Sequence, residues 1–240
     1  MVSPHRATTS WLALAFLCSC TQPLDHVCKV DDPGELEDAA ASDACETIDI
    51  SSTSLRHLDA AAGADKNFTV YENDLLVDVS GLDSAKSLFL VRNLALSEVV
   101  ASCTACSISN DGQESRPSYD LEIRAGEASL APVLLEGVPP QVLRVRSPDQ
   151  ARLRLVVDGQ GFADASVAIE GAEIVELGLN GTTFSDWEFL KGFGVPTASI
   201  TVSGPQDHAV MTAWLEWLQG NGFDGTLAVC PAGMPCDVVE

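Results

Sequence analysis

The sequence predicts a mainly β chain, wound as a right-handed parallel β-solenoid with a short helix near the N-terminus and a capping helix near the C-terminus. Composition is the first reason: of 240 residues 46% are hydrophobic, 20% charged and only 6% aromatic, with 18 Gly and 12 Pro. That mixture favours many short elements joined by tight turns over a few long helices. The second reason is a series of strand-sized runs punctuated by Gly, Pro, Asn and Asp: residues 75–80, 87–93, 121–124, 142–146, 152–157, 167–170, 175–180 and 199–202. The third is recurrence. Ile50, Val70, Leu90, Ile108, Leu134, Leu155, Leu177, Ile200 and Leu227 return every 18 to 27 residues, and Val79, Val100, Ile123, Val145 and Ile169 interleave with them. Two strands per turn of about 22 residues is what a stacked coil needs to bury its inward aliphatics. An antiparallel β-sandwich is the alternative.

Taken in order, residues 1–20 open with His5 and Arg6, continue with an apolar run from Trp11 to Leu17 and end in small residues. This is the layout of a secretory signal peptide. Leu17-Cys18-Ser19-Cys20 resembles the bacterial lipobox, which implies that Cys20 carries a lipid and becomes the first residue of the mature chain. Thr21 stands where an Asp would favour inner-membrane retention, so the resemblance implies the outer membrane or cell surface as the location and the membrane as a partner through the N-terminal lipid.

Residues 21–45 read as a linker and a disulfide-closed cap. Asp32 is placed to cap a helix with Pro33 at its first position and Glu35 at its third, running to Ala44. A second helical turn is expected over 54–62, ended by Gly63. Residues 46–204 form the solenoid, and 205–240 a helical C-terminal cap in which Val210, Trp214, Trp217 and Leu218 share one face. We read the tryptophans as packing on the last coil rather than as a ligand platform.

Once Cys18 and Cys20 are set aside, Cys28, Cys45, Cys103, Cys106, Cys230 and Cys236 form an even set in an oxidising compartment. Fifteen connectivities exist for six cysteines, and spacing favours the three local pairs. Cys103 and Cys106 can bond only in a turn, because extended residues three apart are separated by roughly 10 Å, beyond the roughly 7 Å reach of a disulfide. A redox or zinc role for that pair lacks the exposed thiol or the second ligand pair it would need.

The sequence resembles the receptor L-domain type of leucine-rich-repeat-like solenoid that recurs in bacterial surface lipoproteins. The likeness is carried by an N-terminal Cys, a capped helix, a second Cys, and strands such as Asp120-Leu121-Glu122-Ile123 and Leu143-Arg144-Val145-Arg146. The strand-end Asn of such repeats is read at Asn93 and Asn180.

Thirteen Lys plus Arg against 35 Asp plus Glu give a net charge of -22, which excludes generic nucleic-acid binding. No nucleophile elbow, zinc-protease helix, Walker loop or calcium-loop motif is present, and His26, His57 and His208 are isolated. No catalytic residue, metal site or cofactor is assigned. Asp158 to Asp164 reads as a Gly-rich turn. One cluster stands out. Arg144, Arg146, Arg152 and Arg154 alternate with aliphatics, so four guanidinium groups are expected on one outward side, extended by Arg124. They are either a site for anionic groups of a glycan or surface protein, or a cross-strand ladder neutralised by Glu122, Glu170 and Glu176. The function expected is a lipid-anchored, non-catalytic binding or adhesion module of the cell envelope. A polysaccharide-lyase-like β-helix enzyme and a purely structural envelope protein are the alternatives.

Overall fold

A computed structural model describes residues 26–111, 113, 115–158, 165–181, 187–204, 206, 208–230 and 236–239. The signal peptide, the lipidation position Cys20 and the 159–164 part of the Gly-rich turn lie outside these residues. The chain is mainly β, with few helices. Strands β1 (Val27–Lys29), β2 (Thr47–Ser51), β3 (Asn67–Tyr71), β4 (Ala85–Val91), β5 (Glu98–Ser109), β7 (Ala131–Glu136), β9 (Arg152–Asp158), β11 (Glu173–Asn180), β12 (Ser199–Ser203) and β13 (Thr226–Cys230) pair in parallel in that order, and β14 (Asp237–Val239) adds antiparallel at the far edge. A second parallel ladder branches from β5 through β6 (Ser118–Ile123) and β8 (Val142–Arg146) to β10 (Ser166–Glu170). The pairing of β1 to β13 is parallel throughout, unlike the antiparallel sandwich considered as the alternative. The sheet is open at both ends.

Alternation of side chains fixes which residues face inward. One inward row of the main ladder runs Ile48, Phe68, Leu88, Cys106, Val133, Leu155, Leu177, Ile200, Leu227. The next runs Ile50, Val70, Leu90, Ile108, Leu135, Val157, Leu179, Val202, Val229, and of both rows only Val229 is more than slightly exposed. Burying each large aliphatic contributes about 1.5 to 3 kcal/mol, so these two rows are the principal driving force for stacking. The periodicity found the right nine strands but mixed rows: Ile50 to Ile108 belong to the second, Leu155 to Leu227 to the first, and Leu134 points outward. In the second ladder Val145 and Ile169 do align, whereas Ile123 sits level with Cys103 and Val100 points outward, 41% exposed.

Six main-ladder strands, β2, β3, β4, β7, β11 and β12, leave their rows through a left-handed corner. Ser52, Glu72 and Arg92 take φ of 56°, 52° and 54° with no glycine to ease them. What holds them is the hydrogen bonding at each corner. Ser52, Glu72 and Arg92 donate their N–H to the carbonyls of Tyr71, Val91 and Ser109 at 2.9, 2.9 and 2.8 Å. Beside them stands a buried amide ladder. Asn73 Oδ1 accepts from the Thr53 N–H at 2.7 Å, Asn73 Nδ2 donates to the Ile50 carbonyl at 2.8 Å, and Asn93 Oδ1 accepts from the Asn73 N–H at 3.0 Å while its Nδ2 reaches the Val70 carbonyl at 2.9 Å. The corresponding corners further along are glycines, Gly137, Gly181 and Gly204, with φ of 93°, 67° and 110°.

Helix α1 (Pro33–Ala41) starts on Asp32, whose Oδ1 accepts from the N–H groups of Gly34 and Glu35 at 2.8 and 3.0 Å, and it ends at Ala41 rather than Ala44. Only a 3₁₀ turn, Asp59–Ala61, forms within 54–62. Residues 75–80 are not a regular strand; they make a single parallel bridge, His57 to Asp78. Helix α2 (His208–Gly220) buries Met211, Trp214 and Leu218. It lies in the chain between β12 and β13, and the far edge of β13 is paired by β14.

Candidate functional site

The arginines come first, because the sequence singled them out. Arg144 and Arg146 are on β8 in the second ladder, whereas Arg152 and Arg154 are on β9 in the main ladder. The corner at Ser147 to Ala151 separates the two strands, so the four guanidinium groups do not share one side. Most are matched across strands. Arg152 lies 3.5 Å from Glu173, Arg154 pairs with Glu176, and Arg146 stands 3.0 Å from Asp120 in a charge contact without hydrogen-bond alignment. Arg124 is drawn inward, donating to the Ala85 carbonyl at 2.7 Å with Asp65 at 3.9 Å. Only Arg144 has no acidic oxygen within 4.0 Å among the described residues. The acidic partners are Asp65, Asp120, Glu173 and Glu176. Of the three glutamates named from sequence, only Glu176 serves in that way.

The cysteines pair as Cys28 with Cys45, Cys103 with Cys106 and Cys230 with Cys236, with Cα separations of 5.6, 6.2 and 4.0 Å. Cys103 and Cys106 lie within β5, where the strand passes from the second ladder to the main one, and the shortened Cα distance marks that bend. Both are buried, at 0% and 2% exposure, so neither presents an accessible sulfur.

A surface the sequence did not single out lies on the outward side of β3, β4 and the end of β5. Asn67, Thr69, Tyr71, Ser87, Phe89, Val91, Ala105, Ser107 and Ser109 occupy three adjacent rows there, and none is charged. Phe89 is 46% exposed and stands level with Thr69, one row from Tyr71. Ser87 donates to Asn67 Oδ1 at 2.7 Å, leaving the Asn67 amide N–H groups directed away from that bond. Among the described residues the exposed large hydrophobic residues, Val27, Leu75, Val77, Phe89, Leu94 and Val100, all precede residue 101. Charge returns to the outward face only from β7 onward, with Glu136, Arg154, Asp158 and Glu176. Alternation could have exposed this contrast in the sequence, since the outward positions of β3, β4 and the end of β5 carry no charge. The chain matches no protein-family model, no curated protein and no solved structure.

Titration behaviour is perturbed at two places. Burial pushes the Glu136 and Asp158 carboxyls up, and nearby acidic groups add to it: Asp158 and Asp111 for Glu136, Asp111 for Asp158. Burial likewise lifts the Tyr119 phenol well above its usual range. Asp78, by contrast, is held below the usual carboxylate range, chiefly by the Ser80 N–H that donates to it at 2.8 Å and then by the Ser80 hydroxyl and His57. His26, His57 and His208 stay apart. His57 faces Asp78 at 3.5 Å, and His26 lies 3.3 Å from the Ala44 carbonyl. Among the described residues no helix is long and apolar enough to cross a membrane.

Proposed function

We propose that this chain is an exported, lipid-anchored cell-envelope protein that acts as a non-catalytic binding module. In this reading the parallel ladders wind as a right-handed β-solenoid resembling the receptor L-domain, and Cys20 fixes it to the membrane surface. The observation that supports binding is the uncharged patch around Phe89 and Tyr71 in a protein of net charge -22. A rigid strand face offering aromatic rings beside hydroxyl and amide groups suits an uncharged glycan, where rings stack on sugar faces and short polar side chains meet hydroxyls. The arginines favour this choice over an anionic glycan, since cross-strand carboxylates already occupy most of them.

The test is retention of the full-length chain carrying Cys20→Ser on immobilised neutral and acidic polysaccharides. Two variants accompany it, Tyr71→Ala with Phe89→Ala, and a second with the four arginines from 144 to 154 changed to Ala. Neutral polymers should retain the parent and the arginine variant but not the aromatic variant. Retention on acidic polymers that is lost only with the arginines, or no retention at all, overturns the reading. Separately, labelled fatty acid should enter the parent chain and not the Cys20→Ser form; an unlabelled parent overturns the anchor.

A further inference from the structure

We propose that the corner built by Asn110, Asp111, Glu136 and Asp158 binds a divalent cation of the calcium class. The backbone register brings the acidic groups together. Ser109, Glu136 and Asp158 stand level on three successive parallel strands, so the two carboxylates project from strands roughly 4.8 Å apart, and Asp111 follows two residues after Ser109. Like charges opposite each other on neighbouring strands are destabilising unless something neutralises them. Nothing does so here: among the described residues no hydrogen bond or ion pair reaches the carboxylates of Asp111, Glu136 or Asp158.

Asn110 supplies the independent observation. Its side chain is buried, with 5% exposure, and its orientation is fixed, because Nδ2 donates to the Val138 carbonyl at 2.9 Å and to the Tyr119 hydroxyl at 2.6 Å. A carbonyl accepts only, so the amide cannot be reversed without losing the Val138 bond. Oδ1 therefore faces the other way and has no partner. A buried carboxamide oxygen left without a donor is destabilising, and such a group calls for an occupant. It is aimed over Gly137. A Cβ placed on Gly137 would stand 2.6 Å from Asn110 Oδ1 and 2.7 Å from Asp111 Oδ1, so the two oxygens converge on a space that only glycine leaves open.

Carboxylate and carboxamide oxygens without nitrogen or sulfur are the donor set of hard cations, and calcium tolerates irregular geometry with oxygens at about 2.3 to 2.6 Å. Among the described residues no three acidic groups are gathered around one point. The Cα positions of Glu136 and Asp158 are held by the ladder, and Asp111 is exposed two residues beyond the end of β5, so closing on an ion asks for side-chain rotation at Glu136 and Asp158 and adjustment at Asp111. Such a cation would neutralise the corner and tie β5, β7 and β9 together where the main-ladder strands end.

Thermal unfolding of the purified full-length chain after chelation, with and without added calcium or magnesium, tests this. Calcium at about 100 times its Kd should raise Tm by roughly 5 to 10 °C. Glu136→Gln and Asp158→Asn remove charge without removing bulk, so both variants should fold, and each should weaken calcium binding at least tenfold. Asp38→Asn on α1 controls for diffuse attraction to an acidic protein and should respond like the parent. No calcium shift in the parent, or the same shift in the parent and both corner variants, overturns the proposal. A magnesium response equal to that of calcium, surviving both variants, overturns it likewise.

Discussion

Before residue 110 the main-ladder corners are made by Ser52, Glu72 and Arg92 in left-handed conformation, whereas after residue 130 the same corners are made by Gly137, Gly181 and Gly204. The early corners carry a conformational cost of about 1 to 2 kcal/mol each, and the Thr53–Asn73–Asn93 ladder offsets it with buried hydrogen bonds passed from one strand to the next. The late corners cost little locally and need no such ladder; cross-strand ion pairs occur in both halves, Arg92 with Glu72 early and Arg154 with Glu176 late. One architecture is thus specified in two ways, by side chains that reach the neighbouring strand in the first half and by residues that remove an obstacle in the second.

The largest expected effect comes from breaking the first device. Asn73→Ala strips partners from the Thr53 N–H and the Ile50 carbonyl in a position of 0% exposure, and should cost roughly 3 to 5 kcal/mol in denaturant unfolding. A loss under about 1 kcal/mol would mean that the corners hold themselves. Breaking the second device, Gly137→Ala forces a side chain to φ of 93° and against Asn110 Oδ1, and should cost about 2 to 3 kcal/mol by the same measurement. Ser52→Gly relieves strain at an early corner while adding backbone entropy to the unfolded chain, so a net gain near 0.5 kcal/mol is expected. A loss of stability there would show that the serine does more than turn the chain.

A pH comparison sharpens the contrast. The Glu136 carboxyl is raised on folding, so its ionisation opposes folding at neutral pH, and that opposition fades as pH falls through the raised value to the ordinary carboxylate range. Without added cation, Glu136→Gln should therefore be more stable than the parent at neutral pH, with the difference closing on acidification. Asp78 in the first half has the opposite sign: its carboxylate is stabilised by folding above the ordinary range, and that support is lost in acid. The smallest effect belongs to Arg154→Ala, under about 1 kcal/mol and shrinking with added salt, because Arg154 is half exposed and Glu176 partly so.

Strand identity was legible in the sequence, since period-2 aliphatic runs mark β8, β9 and β12 almost to the residue. Register was not. Leu155 and Val157 are both inward and aliphatic, so pattern alone cannot tell which stands beside Leu177; the backbone ladder chooses Leu155. The alternation of the arginines was read correctly and their common side was not, because a five-residue corner turns β9 onto a different ladder from β8. Asn73 escaped notice for a local reason: in Glu72-Asn73-Asp74 it looks like one more polar turn residue, and only the corresponding Asn93 one strand away gives it a role. The Glu136–Asp158 corner was hidden because the two residues are far apart in sequence and meet only through register.

The bridge between Cys28 and Cys45 spans the whole of α1 and joins β1 to the residue pair that leads into β2. A pull on the N-terminal end of the chain is therefore shared between that disulfide and the β1–β2 pairing, while α1, with Leu36 and Ala39 buried in the core, lies inside the loop that the bridge closes. The load reaches β2 whether or not the peptide chain of α1 is intact.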